Sequence, residues 1–98
     1  MNEIFETETF SKLYDASDAR ERQWIDKIKD SLRENLGVGK PLRFDWFREK
    51  KFGNKRLFYV INVKTKKATL IAFGEKKDQQ KIIDSVIMNR DLFLDFVN

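Results

Sequence analysis

Along the chain, the spacing of apolar residues runs from a helical period to an alternating one and back. Glu3 to Thr7 alternates weakly around Ile4 and Phe5, which predicts a short edge strand. Phe10, Leu13 and Tyr14 then recur at i, i+3 and i+4, the spacing of one helical face, and predict a short helix from about Thr9 to Asp15. A second helix opens after Ser17-Asp18, where Asp18 followed three residues later by Glu21 matches a capping box. Trp24, Ile25, Ile28, Leu32 and Leu36 form its apolar stripe. Arg22, Asp26, Lys29, Asp30 and Arg33 lie opposite, and Gly37 is placed to end it.

After Val38-Gly39-Lys40-Pro41 the period falls to two. Leu42, Phe44 and Trp46 alternate with Arg43, Asp45 and Phe47, and Gly53-Asn54 marks a turn. From Arg56 to Lys64, Leu57, Tyr59, Ile61 and Val63 share one face, while Arg56, Phe58, Val60 and Asn62 share the other. Lys64-Thr65-Lys66 fits a tight reversal before a third strand over Ala68–Phe73, and short turns of this kind predict an antiparallel meander. Ile82, Ile83, Val86 and Ile87 describe another amphipathic helix; Asn89-Arg90 breaks it before a last apolar turn or two at Leu92, Phe93, Phe96 and Val97. The order predicts an α+β fold in one domain spanning 1–98, with helices on one sheet face and the other face open.

Charge changes this picture. Of the 20 basic residues, twelve fall between Lys40 and Lys77, against only Asp45, Glu49 and Glu75 of the 16 acids. Twelve less three gives that block +9, whereas the remainder carries eight basic and thirteen acidic groups, or −5. Aromatic residues interleave with the cations at Phe44, Trp46, Phe47, Phe52, Phe58, Tyr59 and Phe73. Such a face attracts a polyanion, nucleic acid first among them, although a lysine-rich sheet also serves solubility alone. The chain has no histidine and no cysteine, which excludes Ser-His-Asp, Cys-His and zinc-hydrolase chemistry, and no metal or other cofactor is expected. Catalysis would have to run on carboxylates, Lys, Arg and Tyr. No apolar run nears the roughly 20 residues that span a bilayer, and the acidic start lacks the features of a signal peptide, so a cytoplasmic location without membrane contact is expected.

From about Phe5 to Ile87 the chain resembles the RelE/ParE superfamily of toxin–antitoxin toxins. Phe10 and Leu13 fit its first helix, and a longer helix follows. Gly39-Lys40-Pro41-Leu42 looks like the turn leading into its sheet, and Gly53 to Ile61 is similar to its glycine–arginine–tyrosine strand. The resemblance implies a RelE-like fold: a short N-terminal strand, a helical hairpin, a three-stranded antiparallel meander and C-terminal helices. It implies an RNA-binding toxin that acts as a ribosome-dependent messenger RNA endoribonuclease, with mRNA, the ribosome and an acidic antitoxin as partners. A non-cleaving RNA or ribosome binder and a ParE-like inhibitor of DNA gyrase are the alternatives.

Cleavage of this kind turns the ribose 2′-hydroxyl on its own phosphate, and needs a proton acceptor, cations around the phosphorane and a proton donor. By the resemblance, Arg56 matches the family's strand arginine, and its planar fork suits two phosphate oxygens. Lys50 and Lys51 stand near the family's cleft lysines, and Lys76 or Lys77 takes the place of a late arginine. Lys40, Arg43, Arg48, Lys55 and Phe58 are candidate nucleic-acid contacts; Phe47 and Phe58 are placed to stack on bases. Glu49 and Glu75, the carboxylates near the cations, are candidate general bases or salt-bridge partners. The family's late tyrosine or histidine is missing: by count its place falls on Gln80 or Ile82.

Overall fold

The computed structural model describes all 98 residues. A strand, β1 (Glu3–Glu6), leads into α1 (Glu8–Asp15), whose first turn is capped by Thr7, its Oγ1 accepting from Phe10 N at 3.1 Å. The capping box then forms as read. Asp18 Oδ1 accepts from Glu21 N at 2.8 Å, and Glu21 Oε1 accepts from Asp18 N at 3.0 Å. These bonds satisfy amides at the start of α2 (Ala19–Glu34) that the helix cannot pair internally.

The sheet is larger than the pattern predicted. β2 (Lys40–Leu42), β3 (Phe44–Phe52), β4 (Lys55–Asn62) and β5 (Lys67–Glu75) join β1 in the order β1-β5-β4-β3-β2. The meander is its centre. β1 pairs parallel with β5, while the remaining neighbours are antiparallel. Arg43, at φ 65°, breaks the expected first strand in two, so that β2 folds back as a separate edge. Val63 lies past the end of β4 and is 70% exposed, not on the apolar face.

Both faces of the sheet are covered, so the expectation of an open face is corrected. Phe10, Ile25, Ile28 and Leu32 from α1 and α2 pack onto Leu57, Tyr59, Leu70 and Phe73. On the other side, α3 (Gln79–Met88) and α4 (Arg90–Asp95) bring Val86, Phe93 and the following Val97 against Phe47, Phe58, Val60 and Ile71. Phe47 and Phe58 are fully buried there and present no ring to a base. The C-terminal end is pinned by polar contacts: Thr69 Oγ1 donates to Phe96 O at 2.8 Å, and Lys67 Nζ donates to Asn98 O at 2.9 Å. No helix is long and apolar enough to cross a membrane.

Gly39 fixes how β2 approaches the sheet. Its φ of +88° lies in the left-handed region, and an added Cβ would stand 1.9 Å from Tyr59 Oη and 2.6 Å from Glu49 O. The Tyr59 hydroxyl fills that space because it donates to Val38 O at 2.5 Å. A Gly39→Ala substitution is therefore expected to cost about 2–4 kcal/mol, combining backbone strain with a clash the buried phenol cannot evade. A fall in urea midpoint at unchanged slope checks this.

Candidate nucleic-acid interface

Strand register decides which cations meet. Lys40 pairs with Glu49, and Lys51 pairs with Arg56. Directly opposed residues share a face, and Glu49 opposes the buried Phe58. Lys40, Glu49, Lys51 and Arg56 therefore all lie on the α3 side, where the apolar packing ends. The first residue of α3 reaches the same place: Gln79 Nε2 donates to Glu49 Oε1 at 2.9 Å and to Oε2 at 2.8 Å. Arg56 Nε stands 3.4 Å from Glu49 Oε1, and this pair is deeply buried, at 6% and 3% exposure. The Nε contact is ionic only, without hydrogen-bond geometry. Arg56 Nη1 donates to Lys55 O at 3.2 Å and Gly53 O at 3.4 Å.

Above this buried cluster is an open cavity of about 330 Å³, lined by Gly39, Lys40, Glu49, Lys50 and Lys51, with no apolar side chain. Lys40, Lys50 and Lys51 are exposed, Lys50 bordering the cavity from the α2 face because it pairs with Leu57, and Glu49 is the only acidic wall. Lys76 and Lys77 sit in a short 3-10 turn, Lys76–Asp78, held to the β3–β4 hairpin by Lys76 N donating to Asn54 O at 3.0 Å. Both stay exposed. Gly74 lies under the turn, where an added Cβ would be 3.3 Å from Asp78 Oδ2.

Several residues expected at the interface serve the fold. Arg56 is no free phosphate fork, since burial and its contacts with Glu49 and two carbonyls hold the guanidinium beneath the cavity. Arg48 lies on the opposite face and ties down the entry to β2, donating to Asp45 O at 3.0 Å, Gly37 O at 3.1 Å and Gly39 O at 3.2 Å. Lys55 is drawn to Glu21 on α2, and its ammonium lies 5.2 Å above the Phe73 ring. Arg43 occupies the β2–β3 turn, six residues before Glu49, or about 20 Å of extended chain. Phe58 is core.

Of the two carboxylates, Glu49 takes the salt-bridge role that was one of its two readings, while still lining the cavity. Glu75 pairs in register with Lys55 and forms an exposed ion pair with Lys77 at 3.6 Å, away from the cavity. Tyr59 cannot replace the missing aromatic acid–base: burial raises its pKa, Arg48 opposes the rise and Glu49 adds to it, so the phenol stays neutral. No group of three or more carboxylates converges to hold a metal ion. Gln79 is the contact to Glu49 that the sequence did not reveal. A lone amide after a strand carries no pattern, and only the docking of α3 brings it to Glu49.

This arrangement of sheet and helices defines the RelE toxin fold. A double arginine-to-alanine variant of the Escherichia coli RelE toxin, solved with a RelB antitoxin peptide, superposes with a TM-score of 0.69 at 15% identity, over 87% of this chain and 94% of that one. The intact E. coli RelBE toxin–antitoxin complex gives 0.68, again at 15% identity, over 76% and 96%. No family profile matches the chain, and no curated protein sequence does.

The buried cluster and the exposed lysines should separate cleanly on substitution. Glu49→Ala leaves the Arg56 charge buried without its partner and is expected to cost about 3–5 kcal/mol in unfolding free energy. Lys51→Ala, on an exposed side chain without an ion pair, should stay within about 0.5 kcal/mol of wild type in the same urea titration.

Proposed function

We propose that this chain is a RelE-like toxin that grips an RNA backbone at Lys40, Lys50 and Lys51 and cuts messenger RNA on the ribosome. The observation that carries this reading is the apolar-free cavity with three exposed lysines around one carboxylate, at the hairpin end of a RelE-fold sheet. Lys40 and Lys51 bind the non-bridging phosphate oxygens and oppose the charge that grows on them. Glu49 takes the proton from the ribose 2′-hydroxyl as the 2′-oxygen bonds to phosphorus. Lys51, on the same face as Glu49, also gives a proton to the departing 5′-oxygen. The products are a 2′,3′-cyclic phosphate and a 5′-hydroxyl end. The antitoxin is an acidic protein that meets the cations clustered at this end, in keeping with neighbours solved together with RelB.

A second reading is favoured by one observation. Gln79 occupies both oxygens of Glu49, and no aromatic or other titratable group apart from the lysines lines the cavity. A Glu49 that never exchanges those bonds leaves a protein that holds RNA without cutting it.

Expression of the wild type and of a Lys40, Lys50, Lys51 triple-alanine variant, with transcript ends mapped, separates these outcomes. Growth arrest with new 5′-hydroxyl ends, both abolished in the variant, is expected. Arrest over intact messages with plasmid supercoiling unchanged would establish the non-cutting binder, and unaffected growth would end the toxin reading. In vitro, each lysine removed should lower the salt slope of single-stranded RNA binding by about 0.7.

A further inference from the structure

Lys51 and Phe52 are consecutive on β3, so their side chains leave opposite faces at the end of the sheet. Lys51 lines the cavity described above, whereas Phe52 lines a second one of about 220 Å³ with Arg20, Glu21, Gly53, Asn54 and Lys55. We propose that this second cavity is a nucleobase-stacking subsite, which holds a nucleotide flanking the one bound at the lysines. The proposal rests on the RNA-binding reading and carries the RNA path over the hairpin tip onto α2.

Arg20 belongs to α2, outside the basic block, and makes no ion pair or hydrogen bond of its own. Its guanidinium lies over the Phe52 ring, 5.8 Å from the centroid. Trp24 packs against the same ring at 4.9 Å and holds it in place. A planar cation supported by a fixed aromatic ring presents a surface on which a base can stack. The one acid in the wall is already satisfied: Glu21 caps Asp18 N through one oxygen and pairs with Lys55 through the other. Arg20 therefore supplies an uncompensated positive charge. The Asn54 amide makes no hydrogen bond within the protein, which leaves a donor and an acceptor for a base edge. A peptide carboxylate would use the cation but leave the stacking surface idle, whereas a nucleotide uses cation, plane and amide together. The two cavities flank the same end of the β3–β4 hairpin, so a strand that rounds the tip meets both.

The test is anisotropy with a short single-stranded RNA and the full chain, comparing wild type, Arg20→Ala, Arg20→Lys and Lys51→Ala, with circular dichroism confirming each fold. Arg20→Ala is expected to weaken binding about five- to tenfold. Arg20→Lys, which keeps the charge and loses the plane, should recover only a minor part. Full recovery by lysine would overturn the stacking subsite. So would wild-type affinity in Arg20→Ala alongside a weakened Lys51→Ala, an outcome that leaves the RNA-binding reading standing. If Lys51→Ala also binds like wild type, that reading fails with it.

Discussion

The buried contact among Glu49, Arg56 and Gln79 is the interaction on which the rest of this structure depends. It joins β3, β4 and the first residue of α3 where the apolar packing of the second face runs out. A buried ion pair adds little net stability, because desolvating two charges offsets most of their attraction. Its effect lies in specificity. Any slip of β3 against β4 by one residue would turn Glu49 toward the α2 face and leave Arg56 buried without a counter-charge. The same pairing sets Lys51 opposite Arg56, and the β2–β3 register sets Lys40 opposite Glu49. The face on which Lys51 emerges thus follows from a contact it does not share.

That contact also leaves the lysines available. A carboxylate in a lysine cavity would ordinarily be neutralised by the nearest ammonium. Here Glu49 is engaged from below by Arg56 and from the side by Gln79. Lys40, Lys50 and Lys51 make no ion pair and stay exposed. Their field is directed outward, to where a phosphate would approach.

Local features of this fold were legible in the sequence; assignments that depend on what packs on what were not. The Asp18–Glu21 capping box is a short-range hydrogen-bond pattern, and it formed as read. The alternation of Leu57, Tyr59 and Ile61 against Phe58 and Val60 was also correct. Alternation names two faces but does not say which of them is covered. The apolar positions Ile82, Val86, Phe93 and Val97 carried the missing information, since two C-terminal helices with apolar stripes need a surface to bury. Taking them with Phe47 and Phe58 would have closed the second face. The parallel pairing of β1 had no such signal, because four residues beside a helix specify a strand without specifying its neighbour. Arg56 was recognised by motif, but its sequence position does not reveal the carboxylate seven residues earlier that holds it.

The strongly basic block is, in three dimensions, several populations. Arg48, Lys55 and Arg56 spend their charge inside the fold, on carbonyls and carboxylates. Lys64, Lys66 and Lys67 lie at the far end of the sheet, around the β4–β5 turn, with Lys67 bound to the C-terminal Asn98. Arg43 stands alone at the β2–β3 turn. Lys40, Lys50, Lys51, Lys76 and Lys77 remain, gathered from two strands and a 3-10 turn around the β3–β4 hairpin. Sequence proximity suggested one polyanion-binding stripe; register and packing reduce it to five exposed lysines around one hairpin. Cations held at one end of the sheet, beside a buried ion pair, localise their field there, which an even spread of twelve over the whole sheet would not do.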